Sequence, residues 1–340
     1  ETFAEQFPEM RRTQPELFAA HHAAAGNARM AIACWIEAAD RAARTGSAVE
    51  SSTHCRKALE LLECEPPGAD RNRTELMLQM HLADALSVLQ SYASPDVASA
   101  YQRAQQLAGS LSEESSQRFE VVCGLYRFHY LRGDLAAALG SATELMDRAR
   151  HRGPVERVIA GYSLGFVQWS RARFTEVLPQ LEAGVAQDIE SWGPASEGRV
   201  PAGSGNLAQG VQVRCTARVV PAMVLSHLGE LDRALGLASE AVGLAQAARQ
   251  PYSEAFSLYS RALVHFFRRD AASTMADARR VAEISKEYGY FFAALGSVLL
   301  GWAMANIRGA AETQWSDEAV TLMQRGLDGY RRQSRRYSSA

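Results

Sequence analysis

The chain of 340 residues has almost no strand signal. No run of alternating β-branched and polar residues stands between turn dipeptides, which excludes hairpins and sheets as the organising element. Cysteine is sparse. The five present, Cys34, Cys55, Cys64, Cys123 and Cys215, are odd in number and form no CxxC pair. That excludes a disulfide framework and points to a reducing, cytoplasmic setting. An excess of one charge is lacking too. A formal net charge of −2 gives no electrostatic footprint for nucleic acid or an anionic membrane surface. The start does not resemble a signal peptide, because Glu1, Glu5 and Glu9 interrupt the only candidate stretch. With Glu1 rather than Met in first place, the chain reads as a piece of a longer protein.

What is present is helix. Hydrophobic residues make up 47% and charged residues 22%, enough for a sizeable core. Ala- and Leu-rich segments with apolar residues at helical spacing, such as Leu225, Leu228, Leu231, Leu235 and Ala238, alternate with short breaks. The spacing predicts helices over about 14–25, 27–44, 47–63, 73–89, 95–109, 114–132, 134–151, 154–171, 173–187, 212–228, 230–248, 251–268, 270–288, 290–307 and 313–333. Pro95 and Pro154 suit the first turn of a helix, and Asp134 and Asp270 suit N-caps. Tyr288 to Ile307 is a run of 20 residues without charge, near the length of a bilayer span. Its Gly289, Gly296, Ser297, Gly301 and Asn306 fit a helix buried among other helices instead.

The breaks recur at a fixed interval. Turns are expected at Gly133-Asp134, Ala172-Arg173, Gly229-Glu230, Arg269-Asp270 and Arg308-Gly309, with steps of 39, 57, 40 and 39 residues. The long step contains Ser191 to Gly210, rich in Gly, Pro and Ser, and removing it restores the period. A period near 40 with two helices per unit marks an all-α solenoid of antiparallel helix pairs. Seven residues before four turns stands a small residue, Gly165, Ala222, Ala262 or Gly301, and five residues after two turns stands Ala138 or Ala234. These are the small-residue positions of tetratricopeptide repeats, which allow paired helices to approach closely. Tyr126, Val177 and Thr274 depart from the pattern. The organisation expected is N-terminal helical repeats over 1–110, tetratricopeptide-like repeats over 111–187, an irregular insertion over 188–211 and further repeats over 212–340.

A more specific signal lies in residues 8–107. In order come Pro8-Glu9, Gln14-Pro15-Glu16-Leu17, Ala20-His21-His22, Ala25-Gly26, Ala31-Ile32, Trp35, Ala38, Ala42 and Ser47-Ala48 with Glu50. Ala58-Leu59-Glu60-Leu61-Leu62, Glu75-Leu76, Leu78-Gln79, Tyr92-Ala93-Ser94-Pro95-Asp96-Val97, Tyr101 and Arg103-Ala104 follow. This order resembles the helical C-terminal region of large bacterial signalling proteins, in which a P-loop ATPase joins tetratricopeptide repeats, often behind a class III adenylate/guanylate cyclase domain. The resemblance implies a regulatory segment acting on upstream ATPase or cyclase domains. The chain itself has no GxxxxGK[ST] loop and no cyclase core, so catalysis and a cofactor are not expected of it.

Candidate chemistry is thin. His21 and His22 point about 100° apart on a helix and cannot share a metal in the usual i, i+4 way. His54-Cys55 with Cys34 and Cys64 lacks a close ligand pair, and Cys123 with His129 lies on largely opposite helix faces. Glu113-Glu114 and Asp277 with Glu283 read as solvated helix surfaces, and Arg331, Arg332, Arg335 and Arg336 as an exposed helix end. No metal site is expected. In tetratricopeptide stacks the first helix of each pair lines a concave groove. Phasing from the turns puts Arg127, Tyr130, Phe166, Trp169, Tyr259 and Phe266 on that side, where Arg and aromatic anchors suit a protein or peptide partner. The alternatives are a small-molecule inducer sensor of an ATP-dependent transcription activator and a stand-alone scaffold. Neither nucleic acid nor a membrane is expected as a partner.

Overall fold

The computed structural model describes residues 13–44, 47–89, 94–109, 116–186, 210–288, 290, 292–307 and 316–338. Among these, all regular structure is helical. In chain order the helices are α1 (Pro15–Ala24), α2 (Ala28–Arg44), α3 (Ala48–Leu62), α4 (Ala69–Leu89), α5 (Pro95–Ala108), α6 (Ser116–Leu131), α7 (Leu135–Ala149), α8 (Pro154–Ser170), α9 (Phe174–Ala186), α10 (Gly210–Leu228), α11 (Leu231–Ala247), α12 (Pro251–Phe267), α13 (Ala271–Tyr288), α14 (Phe292–Asn306) and α15 (Asp317–Ser338). Each lies over one of the helices expected from the spacing. The main differences are at ends: α4 starts at Ala69 instead of 73, and α15 continues to Ser338 instead of 333. Gly210 already opens α10, inside the stretch read as an insertion. The preceding residues 187–209, and the turn expected at Arg308-Gly309, lie outside the described residues.

Local chemistry sets the helix ends. Pro95 and Pro154 occupy first turns, where a missing N–H costs nothing. The Asp134 carboxylate accepts the Ala137 N–H at 3.0 Å, and Asp270 accepts that of Ser273 at 3.0 Å. The three turns after α8, α10 and α12 share one geometry. Ala172, Gly229 and Arg269 adopt left-handed backbone, with φ of 57°, 83° and 59°. The next N–H then reaches back five residues, from Arg173 to Gln168 O (2.8 Å), Glu230 to Leu225 O (3.0 Å) and Asp270 to His265 O (3.0 Å). This is the Schellman closure, which satisfies carbonyls that a helix end would otherwise orphan.

The chain divides into two compact units. The first holds α1–α6 up to Gly133, and the second holds α7–α15 from Asp134 up to Arg336. In each unit consecutive helices pack as neighbours, and alternate helices also touch. In the first unit α4 packs on both α2 and α6, making an inner layer of α2, α4 and α6. In the second unit α8, α10, α12 and α14 form the corresponding layer. The expected small residues sit at the helix crossings. Ala138, Ala222, Ala234 and Ala262 are fully buried. A Cβ on Gly165 would stand 2.8 Å from Leu181 of α9 and 2.8 Å from Val220 of α10. The departures Tyr126, Val177 and Thr274 are buried as well. The uncharged run supplies α14, which buries Phe292, Gly296, Leu299, Gly301 and Ala303. Among the described residues no helix is long and apolar enough to cross a membrane.

The core of the first unit is built around Phe18, Ile32, Trp35, Leu62, Leu78, Val97 and Tyr101. An ionic knot lies beside it. Arg127 of α6 donates to the Asp84 carboxylate of α4, and to the Tyr101 hydroxyl of α5 at 3.2 Å. The Tyr101 hydroxyl donates to Asp84 at 3.1 Å. The Arg127 side chain is 10% exposed and that of Asp84 22%.

Two predictions follow from this packing. Gly140, on an open face of α7, and Gly301, against the Ala319 carbonyl and Met323 N–H of α15, separate propensity from space. Gly140→Ala should raise stability by about 0.5–1 kcal/mol, the usual gain in a helix interior. Gly301→Ala should lower it by about 1–3 kcal/mol through overpacking; chemical denaturation of the two variants would read the opposite signs. Arg127→Ala leaves the partly buried Asp84 carboxylate without its cation and should cost about 1–3 kcal/mol. The same measurement on a triple variant, Arg127→Met with Asp84→Leu and Tyr101→Phe, should recover most of that loss.

Candidate binding surface

All six residues singled out by phasing lie on inner-layer helices, but they belong to two units with different chemistry. In the first unit the layer is polar. Arg127 is tied to Asp84 and Tyr101, so its guanidinium is spent on holding α4, α5 and α6 together. Tyr130, one turn on, is half-buried and stacks on Tyr126 with ring centroids 5.9 Å apart. Between α2 and α4, His81 Nδ1 lies 3.1 Å from Asp40 Oδ1. Burial opposes a charged imidazole there, but the Asp40 hydrogen bond and the charges of Asp40, Asp84 and Glu120 outweigh it and hold His81 above the usual range.

In the second unit the layer is aromatic. Phe166 of α8 lies with its ring 6.4 Å from that of Phe256 of α12, over a floor of Cys215, Val219 and Met223 from α10. Trp169 sets its ring edge-on to His227 at 5.8 Å, and its indole Nε1 is 3.4 Å from His227 Nδ1. His227 also stacks on Phe174 (4.9 Å) and meets Phe267 edge-on (5.0 Å). Tyr259 lies 6.2 Å from Phe292 of α14, and burial pushes its hydroxyl up to about 12. Phe266 meets Trp302 of α14 edge-on at 4.7 Å. Rings from four successive inner helices thus meet in chains, Trp169 to His227 to Phe267 on one path and Phe166 to Phe256 to Phe292 on another.

Phasing picked out Phe166, Trp169, Tyr259 and Phe266 of this layer and missed His227, Phe256, Phe267, Phe292 and Trp302. His227 and Phe267 stand two residues before their turns, next to the position of Trp169 and Phe266, and this shared register is the signal that would have found them. Asp277 departs from its reading as a solvated residue. It is 7% exposed and accepts two hydrogen bonds from Arg261, at 2.7 and 2.8 Å. Neighbouring His265 is held below the usual imidazole range, chiefly by burial.

Reactive groups are few. Cys34, Cys55, Cys123 and Cys215 are buried and Cys64 is exposed, all as free thiols. Burial pushes the Cys55 thiol up to about 12, which leaves it protonated and unreactive at neutral pH. Among the described residues no group of three or more His, Cys, Asp or Glu side chains is placed to hold a metal ion. A cleft of about 390 Å³ opens in the first unit between α3 and α5, with Leu82, Leu86 and Ala100 on its apolar side and Arg56, Gln79 and Arg103 on its polar side.

No family model matches the sequence, and no curated protein matches it. Solved structures do. A Rap protein complexed with competence and sporulation factor is similar with a TM-score of 0.61 at 12% identity, over 88% of this chain and 76% of that one. The apo form of RapI is similar with a TM-score of 0.54 at 10% identity, over 88% and 77%. A tetratricopeptide repeat protein from Parabacteroides merdae ATCC 43184 has a TM-score of 0.47 at 12% identity, over 87% and 98%. With its all-helical layers and small-residue crossings, the chain has the fold of tetratricopeptide-like helical repeats.

Proposed function

We propose that this chain is a protein- or peptide-binding regulatory module of a larger bacterial signalling protein, and that it binds through its inner helix layers in the cytoplasm. The observation that carries the reading is the aromatic lining of the second unit. Phe166 and Trp169 come from α8 and Tyr259 and Phe266 from α12, two helices of one layer with α10 between them, so one extended partner can touch several repeats at once. Half-buried rings are strong anchors, because they offer large contact area for little loss of rotamer freedom. A solved protein with this fold is held in complex with competence and sporulation factor, which is in keeping with a peptide or protein occupant. The sequence resemblance supplies the context, regulation of upstream ATPase or nucleotide-cyclase domains. Stacked repeats contact only their neighbours, so a bridging ligand changes the array and passes that change along it.

The test uses Trp169 and Phe266, because Arg127 belongs to the ionic knot. With the full chain as bait in lysate of its source, the wild type should retain a partner that Trp169→Ala/Phe266→Ala loses, with affinity for the isolated partner down about tenfold or more. A partner held equally by both baits would remove the aromatic layer from the proposal.

The small-molecule sensor reading draws on the cleft between α3 and α5. Its volume falls in the range of small-ligand sites, and beside its apolar side stands the Arg56 guanidinium, that of Arg103 being held by Glu75. On that reading, metabolite extract should raise the melting temperature of the wild type and leave Arg56→Glu unmoved. An equal rise in both would count against the cleft.

A further inference from the structure

We propose that His81 is a proton-operated clasp between α2 and α4, the first two inner helices of the first unit. The pair it forms with Asp40, 3.1 Å apart, is an ion pair that joins these two helices. The His81 side chain is 17% exposed and that of Asp40 38%, so the pair is partly shielded from water yet open to proton exchange. The groups around His81 are nearly all acidic. Asp40 faces it from α2. Asp84 lies one turn on in α4 and is bound by Arg127 of α6. Glu120 of α6 lines with His81 a void of about 10 Å³, room for a single water. Cys55 of α3, near Asp40 and Asp84, stays a neutral thiol, and the Tyr101 hydroxyl of α5 donates to Asp84. Arg127 offsets Asp84, and Asp40, in direct contact with His81, is the carboxylate that an imidazolium answers.

The direction of the switch follows from linkage. In the folded chain Asp40, with Asp84 and Glu120 behind it, holds the imidazole above its ordinary value of 6.5. A raised pKa means that the clasp contributes fully below the unfolded value and is lost as pH rises through the folded one. The helices are therefore drawn together in mild acid and released toward the alkaline side. Where the proposed function holds, and this layer takes a partner, proton uptake sets how the first unit presents its inner face. The clasp itself exists without a partner, so its test needs none and can fail independently of the binding reading.

The experiment is amide hydrogen exchange of α2 and α4 in the full chain, from about pH 5.5 to 8.5 and corrected for intrinsic rates, with imidazole NMR titration of His81. The wild type should lose at least about threefold protection across that range. His81 should titrate above 6.5, its ordinary value. Asp40→Asn should move the His81 titration down and abolish the pH-dependent part of the protection. His81→Gln should abolish the same part. If His81→Gln does not fold, Asp40→Asn decides alone, since it alters the charge and keeps the shape. A His81 that titrates at or below its ordinary value, or an Asp40→Asn variant that keeps the full pH-dependent protection, overturns the proposal.

Discussion

Everything in this structure depends on two helices being able to cross closely within each repeat. Interdigitating side chains hold helix axes about 8–10 Å apart, and the near end of that range needs a residue with little or nothing beyond Cβ at the crossing. Gly165 meets that need against Leu181 and Val220, where a methyl would stand 2.8 Å from each. Gly301 and Gly326 meet it reciprocally between α14 and α15, each with a backbone carbonyl of the other helix 2.7 Å from where its Cβ would be. Buried alanines at 138, 222, 234 and 262 meet it elsewhere. Once the crossing is fixed, the turn that leads into it must reverse the chain within two or three residues. The left-handed residues at 172, 229 and 269 do this with one repeated hydrogen-bond pattern. Crossing and turn together set the repeat length, and the repeat length sets which side chains share a layer.

That chain of constraints explains why the helices were legible and the site less so. Helix positions, caps and turn positions depend on local chemistry and on a period, and both are written along the sequence. The residues that carry the family resemblance are largely packing residues. Trp35, Ala38, Ala58, Val97 and Tyr101, for example, are all buried in the core of the first unit. A side chain's partner is a different matter. Phasing put Arg127 toward the groove on an inner-layer helix, but the carboxylate that claims it is 43 residues earlier and nothing local announces it. Asp277 fails in the same way. On its own helix it looks like a surface acid, and only the approach of Arg261 from α12 turns it into a buried one.

The two inner layers show how one architecture carries two kinds of chemistry. In the first unit Asp40, His81, Asp84 and Arg127 hold neighbouring helices through charge, and each pair depends on its partner remaining in place. Removing one member of such a pair is costly, while replacing the whole set by apolar groups need not be. In the second unit Phe166, Phe256, Phe292 and their neighbours do the same work through ring contacts, which leave no charge stranded when one member moves. A charged layer therefore responds to protons and salt, and an aromatic layer responds chiefly to what covers its rings.

This contrast bears on how a repeat protein divides stability from recognition. The crossings are filled by Gly and Ala, which offer a partner almost nothing to hold. The large rings stand one turn along the same face, Trp169 four residues after Gly165 and Phe266 four after Ala262, and Tyr259 and Phe266 pack against the cluster that holds Ala262. Trp169 illustrates the freer case. Its ring touches His227 edge-on with one long nitrogen–nitrogen contact, packs against the cluster of Cys215, Val219 and Met223, and stays half-buried at the end of its helix. Held by packing and not by an ion pair, it keeps part of its ring surface to give to a partner. Arg127, nine-tenths covered and bonded to two helices, has already given its own.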